Sequence, residues 1–237
     1  MDAWFIEDEQ ALKVLDNTTR GSDVTRGDDS VPALPGPVAL RLHDLVIHDN
    51  KRWFDFLGGA DIRVDVLAVQ GNVLDDDPRS FYTPTTARFG GVGDESTVPL
   101  DDQGLLAYYG WPKHFIDISV MVSRDTSRAD DLATLLTKEA SSADFNDVVS
   151  PILQLALGGG ALAVKNAVAV AATLGGLAYK VLRQVSGSTI GVYRGNRLEH
   201  PHRFGLGRNP TDGSYRRQNL SLWYDVVSAA EDAGSGT

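Results

Sequence analysis

Four stretches of this chain alternate apolar and polar residues with a period of two, and that alternation constrains its fold more than any other feature. In the clearest, Ile116, Ile118, Val120 and Val122 alternate with Asp117, Ser119, Met121 and Ser123. Ile62, Val64, Val66 and Ala68 alternate with Asp61, Arg63 and Asp65, and Leu220, Leu222, Tyr224 and Val226 with Ser221, Trp223 and Asp225. Val38, Leu40 and Leu42 oppose Arg41 and His43 before Leu45 and Ile47 restart the run. Successive side chains of a strand point to opposite faces, so each run predicts a strand with one apolar face. Such strands belong to antiparallel sheets whose other face is solvated. Shorter candidates lie at 80–89, 105–109 and 189–193. About seven or eight strands in all make a mainly β protein, with an antiparallel β-sandwich as the expected architecture.

An alanine- and glycine-rich stretch, residues 129–185, interrupts the strands and predicts a long helical insertion. Its first part opens with Asp130 and Asp131 ahead of Leu132, Leu135 and Leu136, a pattern that starts helices. From Val148 to Tyr179 only Lys165 is charged, so a membrane span has to be weighed. At about 100° per residue, Lys165, Asn166, Ala169, Thr173, Gly176, Lys180 and Gln184 share one arc. Val170, Leu174, Leu177, Val181 and Val185 fall on the other side, and Gly158–Gly160 breaks the stretch in two. The expectation is an amphipathic pair of helices packed on a sheet face or against another subunit, not a stable transmembrane span. A membrane-active hairpin released from residues 148–185 is an alternative.

The N-terminal residues 1–37 read as an arm. Trp4, Phe5, Ile6, Ala11, Leu12 and Leu15 recur at helical spacing within 3–16, and a Gly-, Asp- and Pro-rich linker follows to Pro37. Residues 38–227 form the expected domain and 228–237 a flexible tail. The first residues have neither a basic n-region nor an apolar h-region, so a Sec-type leader is not expected and a cytoplasmic or particle-associated protein is.

The absence of cysteine rules out disulfides, thiolate metal sites and a cysteine nucleophile. A net charge of −10 argues against general nucleic-acid binding, which needs a basic surface. The acidic residues are 26 Asp against 6 Glu, a bias that suits turns and loops and also oxygen ligands for calcium. Asp49, Asp55 and Asp61 flank the turn between the first two strands, and Asp125, Asp130 and Asp131 follow the clearest strand. The segments Gly59-Ala60-Asp61-Ile62-Arg63-Val64 and Val122-Ser123-Arg124-Asp125 place these acids in an order and spacing that distantly resembles a C2 domain over residues 38–131. That resemblance implies a β-sandwich binding calcium through Asp residues of two loops at one end.

Two further groups carry chemistry. His200 and His202, two apart, can reach one metal if His43, His48 or His114 completes the set. Arg194, Arg197, Arg203, Arg208, Arg216 and Arg217 make a basic region in an otherwise acidic chain, with the surroundings of 194–197 and 203–210 reading as loop. This region can pair with acidic loops of another subunit or within the chain itself. Trp4 and Phe5 would dock the arm on a partner. No Gly-x-Ser-x-Gly elbow, His-Glu-x-x-His or phosphate loop occurs. The sequence therefore points to a non-enzymatic structural subunit of a larger assembly, such as a virus particle, a tail or a secretion apparatus. A calcium-dependent binding module is the alternative.

Overall fold

The computed structural model describes residues 36–50, 59–71, 81–102, 104–125, 132–142, 176–178, 180–182, 184, 189–199, 203–206, 215–216 and 219–228. All of them fall in one compact unit, Leu34–Thr237. The strands are β1 (Val38–Ile47), β2 (Ala60–Gln70), β3 (Tyr82–Val92), β4 (Ser96–Thr97), β5 (Leu105–Gly110), β6 (Phe115–Arg124), β7 (Thr189–Leu198), β8 (Tyr215–Arg216) and β9 (Leu220–Ser228), with helix α1 (Leu132–Ala140). They form two antiparallel sheets. Sheet A runs β4-β1-β9-β8 with β5 also on β1, and sheet B runs β3-β2-β6-β7. The chain is thus mainly β, as the alternation requires.

The apolar half of each alternation meets its counterpart across the sandwich. Val38, Leu40, Leu42, Leu45 and Ile47 of β1 and Leu220, Leu222, Tyr224 and Val226 of β9 share a core with Ile62, Val64 and Val66 of β2 and Ile118, Val120 and Val122 of β6. Leu42 and Leu45 both face inward because β1 bulges against β9 between Leu42 and Asp44, inserting His43 on the outside. Burying side chains of this size contributes about 1.5–3 kcal/mol each.

Sheet B departs from the expected pattern, because its polar face is covered. Arg63, Asp65 and Ser119 are fully buried, and Asp117 and Ser123 nearly so. A second apolar cluster on that face joins Leu67, Val69, Phe115 and Met121 to Leu132 and Leu135 of α1 and to Ala178, Val181 and Leu182. Helical residues 176–178, 180–182 and 184 keep the expected sidedness, since Gly176, Lys180 and Gln184 are exposed while Val181 is buried. The described residues thus place one short helix and a few further helical residues on this sheet face, and they do not show a long helical insertion. Residues 143–175, the middle of the expected insertion with its Gly158–Gly160 break, lie outside the described residues, as do the arm with Trp4 and Phe5 and the tail from 229.

Strand β7 also runs further than its sequence suggests. Arg194, Gly195, Asn196 and Arg197 read as loop, yet they pair in register with Ser119, Ile118, Asp117 and Ile116 of β6. The reason is a partner on the neighbouring strand. Arg194 donates to Asp117 through Nε and Nη2, at 3.1 and 2.9 Å, and Asn196 reaches the same carboxylate.

The charged groups buried on sheet B are paired. Arg63 donates through Nε and Nη2 to Asp65 Oδ1 at 3.0 Å, and Thr86 Oγ1 donates to the same oxygen at 2.7 Å. Asp65 Oδ2 lies 2.8 Å from Arg63 Nε but off the N–H axis. Removing one member of such a pair leaves an uncompensated charge in a dry site. Asp65→Ala is expected to destabilise the fold by about 3–5 kcal/mol, measured by urea denaturation, whereas replacing Arg63 and Asp65 together by apolar residues costs far less.

Candidate functional site

The outer face of sheet A is the surface on which exposed apolar groups gather. Leu106, Tyr109 and Trp111 are 46%, 58% and 55% exposed, the large hydrophobic side chains left open among the described residues. Register sets Tyr109 beside Ala39 and Leu106 beside Arg41, and on the other side of β1 sets Val227 beside Ala39 and Asp225 beside Arg41. A bulge between Leu40 and Arg41 shifts β5 by one residue, which is how Tyr108 enters the core while Tyr109 and Leu106 both face out. Trp223 lies on the same face, half-buried.

Charge of both signs runs through this face. His43 Nε2 stands 2.7 Å from Asp225 Oδ2, Arg41 is the register partner of Asp225, and Asp44 is exposed. Toward the far end of β1, His48 makes two contacts through its ring. Its Nε2 is 2.8 Å from Ser221 Oγ and its Nδ1 is 2.9 Å from Glu95 Oε2. Glu95 sits in the β3–β4 turn at φ 49, in the left-handed region that non-glycine residues avoid.

The acidic residues expected to bind calcium converge only in part. Asp61 and Asp125 meet at the end of sheet B, where Asp125 N donates to Asp61 O at 2.7 Å. Their carboxylates face protein groups: Arg88 Nε lies 3.2 Å from Asp125 Oδ2, and Gly91 N is 3.4 Å from Asp61 Oδ1. Gly59 fits against Gly91 in this corner because a Cβ at Gly59 would lie 2.0 Å from the Gly91 carbonyl carbon. Asp49 is exposed, with its N–H directed at Asn219 O. Among the described residues no group of three or more histidines or acids is arranged to hold a metal ion. Asp55, Asp130, Asp131, His200 and His202 lie outside them.

The arginines are spread over different tasks. Arg194 serves buried Asp117. Arg197 donates through Nη2 to Tyr224 Oη at 2.8 Å with its guanidinium carbon 5.3 Å from the Tyr224 ring centre, and Tyr224 Oη lies 3.0 Å from Tyr193 Oη. Gly195 makes room for that pair, since a Cβ there would lie 2.3 Å from Tyr193 Oη. Arg203 is exposed at φ 44, beside buried Phe204, with its N–H bonded to Glu199 O. Arg216 is the register partner of Ser221. Arg208 and Arg217 lie outside the described residues. Sequence reading missed the aromatic face and the His48 contacts. The only signals were the Tyr-Tyr-Gly-Trp run at 108–111 and a histidine at a strand end.

Two phenols connect the packing to pH. Burial, reinforced by Asp117 and then Glu139, pushes the Tyr82 hydroxyl well above the ordinary tyrosine range, and burial does the same to Tyr108, which bonds Gln70 Oε1 at 2.5 Å. The unfolded phenols ionise near pH 10 while the folded ones keep their protons. This contribution to stability is therefore complete below about pH 10 and is lost as pH rises above it. Urea midpoints measured from about pH 8 to about pH 11 should fall in the wild type, and the fall should be shallower in a Tyr82→Phe, Tyr108→Phe double variant.

Among the described residues no helix is long and apolar enough to cross a membrane. Comparison with protein-family models finds no match, and comparison with curated proteins finds no relative.

Proposed function

We propose that this chain is an interaction protein, a β-sandwich subunit that associates with copies of itself through the outer face of sheet A. The observation that supports this most is that Leu106 and Tyr109 are about half exposed on that face, with half-exposed Trp111 following directly after the strand. Large aromatic side chains at the centre of a patch supply most of the energy of protein interfaces. Leaving them in water costs roughly 25 cal/mol for every Å² that could be buried.

A second copy is the partner that this face suits. A two-fold interface must be complementary to itself, so it needs both signs of charge around an apolar centre. Arg41 and His43 beside Asp44 and Asp225 provide that mixture. A chain of net charge −10 meets its copy against a long-range repulsion, so association is expected to strengthen as salt rises to about 0.15 M. The amphipathic segment at Trp4 and Phe5 is a second contact that the sequence offers. The Arg194 and Arg197 side chains, occupied inside the domain, are not part of this reading.

Light scattering on the purified chain tests it. The wild type is expected above monomer mass, and a Tyr109→Ser, Trp111→Ser variant at or near monomer mass with an unchanged unfolding midpoint. A monomeric wild type at micromolar concentration and moderate salt would overturn the proposal.

A further inference from the structure

The contacts of His48 have a chemistry of their own, independent of how the subunits associate. One ring nitrogen, Nε2, is 2.8 Å from a serine hydroxyl and the other, Nδ1, is 2.9 Å from a carboxylate. A neutral imidazole carries one proton. Glu95 accepts only, so it favours the tautomer with hydrogen on Nδ1 and leaves the Nε2 lone pair facing Ser221 Oγ. We infer that Ser221, His48 and Glu95 form a nucleophile, a general base and an orienting carboxylate, able to accept an acyl group from a small activated ester onto Ser221 Oγ.

The three residues come from separate parts of the chain and each is fixed by its backbone. Ser221 lies in β9, opposite Val46 of β1. His48 follows β1, and its N–H donates to Asn219 O at 2.8 Å, which holds it two residues from the serine along β9. Asn219 is itself buried, with its side chain donating to Ile190 O at 3.1 Å. Glu95 is held from the other direction. Asn50 N donates to Asp94 Oδ1 at 2.6 Å and Asn50 Nδ2 to Val92 O at 3.3 Å, tying the turn that carries Glu95 to the segment after His48. Glu95 holds a left-handed backbone conformation, and such strain persists where the surrounding contacts over-determine it. The His48 side chain is 15% exposed and Glu95 is 74% exposed. Relay geometry of this kind recurs on unrelated folds and is recognised by the roles of its atoms, not by sequence order.

The step balances without a further reactant. Ser221 Oγ attacks the acyl carbon as its proton passes to His48 Nε2, and Glu95 stabilises the imidazolium while remaining ionised. The ester C–O bond breaks, and the departing alkoxide takes the proton back from Nε2. Water then attacks the acyl-serine by the same route, releasing the acid and restoring the hydroxyl. Ser221 retains 3% of its surface and sits within a strand, so the proposal is confined to small acyl groups.

The test uses the full chain with a small alkyl fluorophosphonate and, separately, with p-nitrophenyl acetate. The expected result is one covalent adduct by intact mass, mapped to Ser221 by peptide mass spectrometry, and absent from Ser221→Ala. His48→Gln should slow labelling and ester hydrolysis by about 100-fold or more, and Glu95→Gln, at an exposed position, by at least about tenfold. Unfolding midpoints run in parallel show that each variant is folded. Absence of a Ser221 adduct in the wild type, or labelling of folded His48→Gln at the wild-type rate, would overturn the assignment.

Discussion

Strand β6 is buried on both faces, and the rest of the structure answers to that condition. One face, Ile116 to Val122, fills the sandwich core, and the other, Asp117 to Ser123, lies on the side covered by Leu132 and Leu135 of α1 and by Ala178, Val181 and Leu182. A dry face that carries Asp117, Ser119 and Ser123 needs partners for polar groups, because burying an unpaired charge costs several kcal/mol. Arg194 and Asn196 of β7 meet that need for Asp117, which extends β7 to Leu198 and draws a basic residue inward. On the next strand Arg63 and Asp65 meet it for each other. Ser119 Oγ and Ser123 Oγ have no partner among the described residues.

Sheet A has the opposite economy. Its inner face supplies half of the core, while its outer face mixes Leu106, Tyr109 and Trp223 with Arg41, His43 and Asp225 and leaves Leu106 and Tyr109 about half in water. The two ends of β1 differ in kind. Near Val38 the face is aromatic and suited to contact, and near Ile47 it holds the hydrogen-bonded series Ser221, His48 and Glu95. One strand thus carries exposed aromatic residues beside one end and this hydrogen-bonded series beside the other, with the His43 bulge between them.

Strands β1, β2, β6 and β9 were legible because period-two alternation is a direct imprint of a sheet with two unlike faces. What the alternation does not encode is exposure. Asp117, Ser119, Arg63 and Asp65 look like a solvated face, and the packing of sequence-distant Leu132, Leu135, Ala178, Val181 and Leu182 makes it an interior. Glycine and asparagine at 195–196 imitate a loop until Asp117 is placed opposite them. Strands β4 and β8 are two residues each, too short to show a period. The Ser221–His48–Glu95 series was hidden by sequence separation, 173 and 47 positions from His48, and no local motif surrounds the serine. Asp61 and Asp125 meet at one end of sheet B, and Arg88, which faces Asp125 from β3, could not be foreseen from either loop.

The central claim, that sheet B is closed on its polar side, can be read with a single thiol because the chain has no cysteine of its own. In Ser119→Cys, a near-isosteric change at a fully buried site, Ellman's reagent should react far more slowly in the native protein than after unfolding in urea. Native reactivity equal to that of the unfolded chain would show the face open to water and contradict the account.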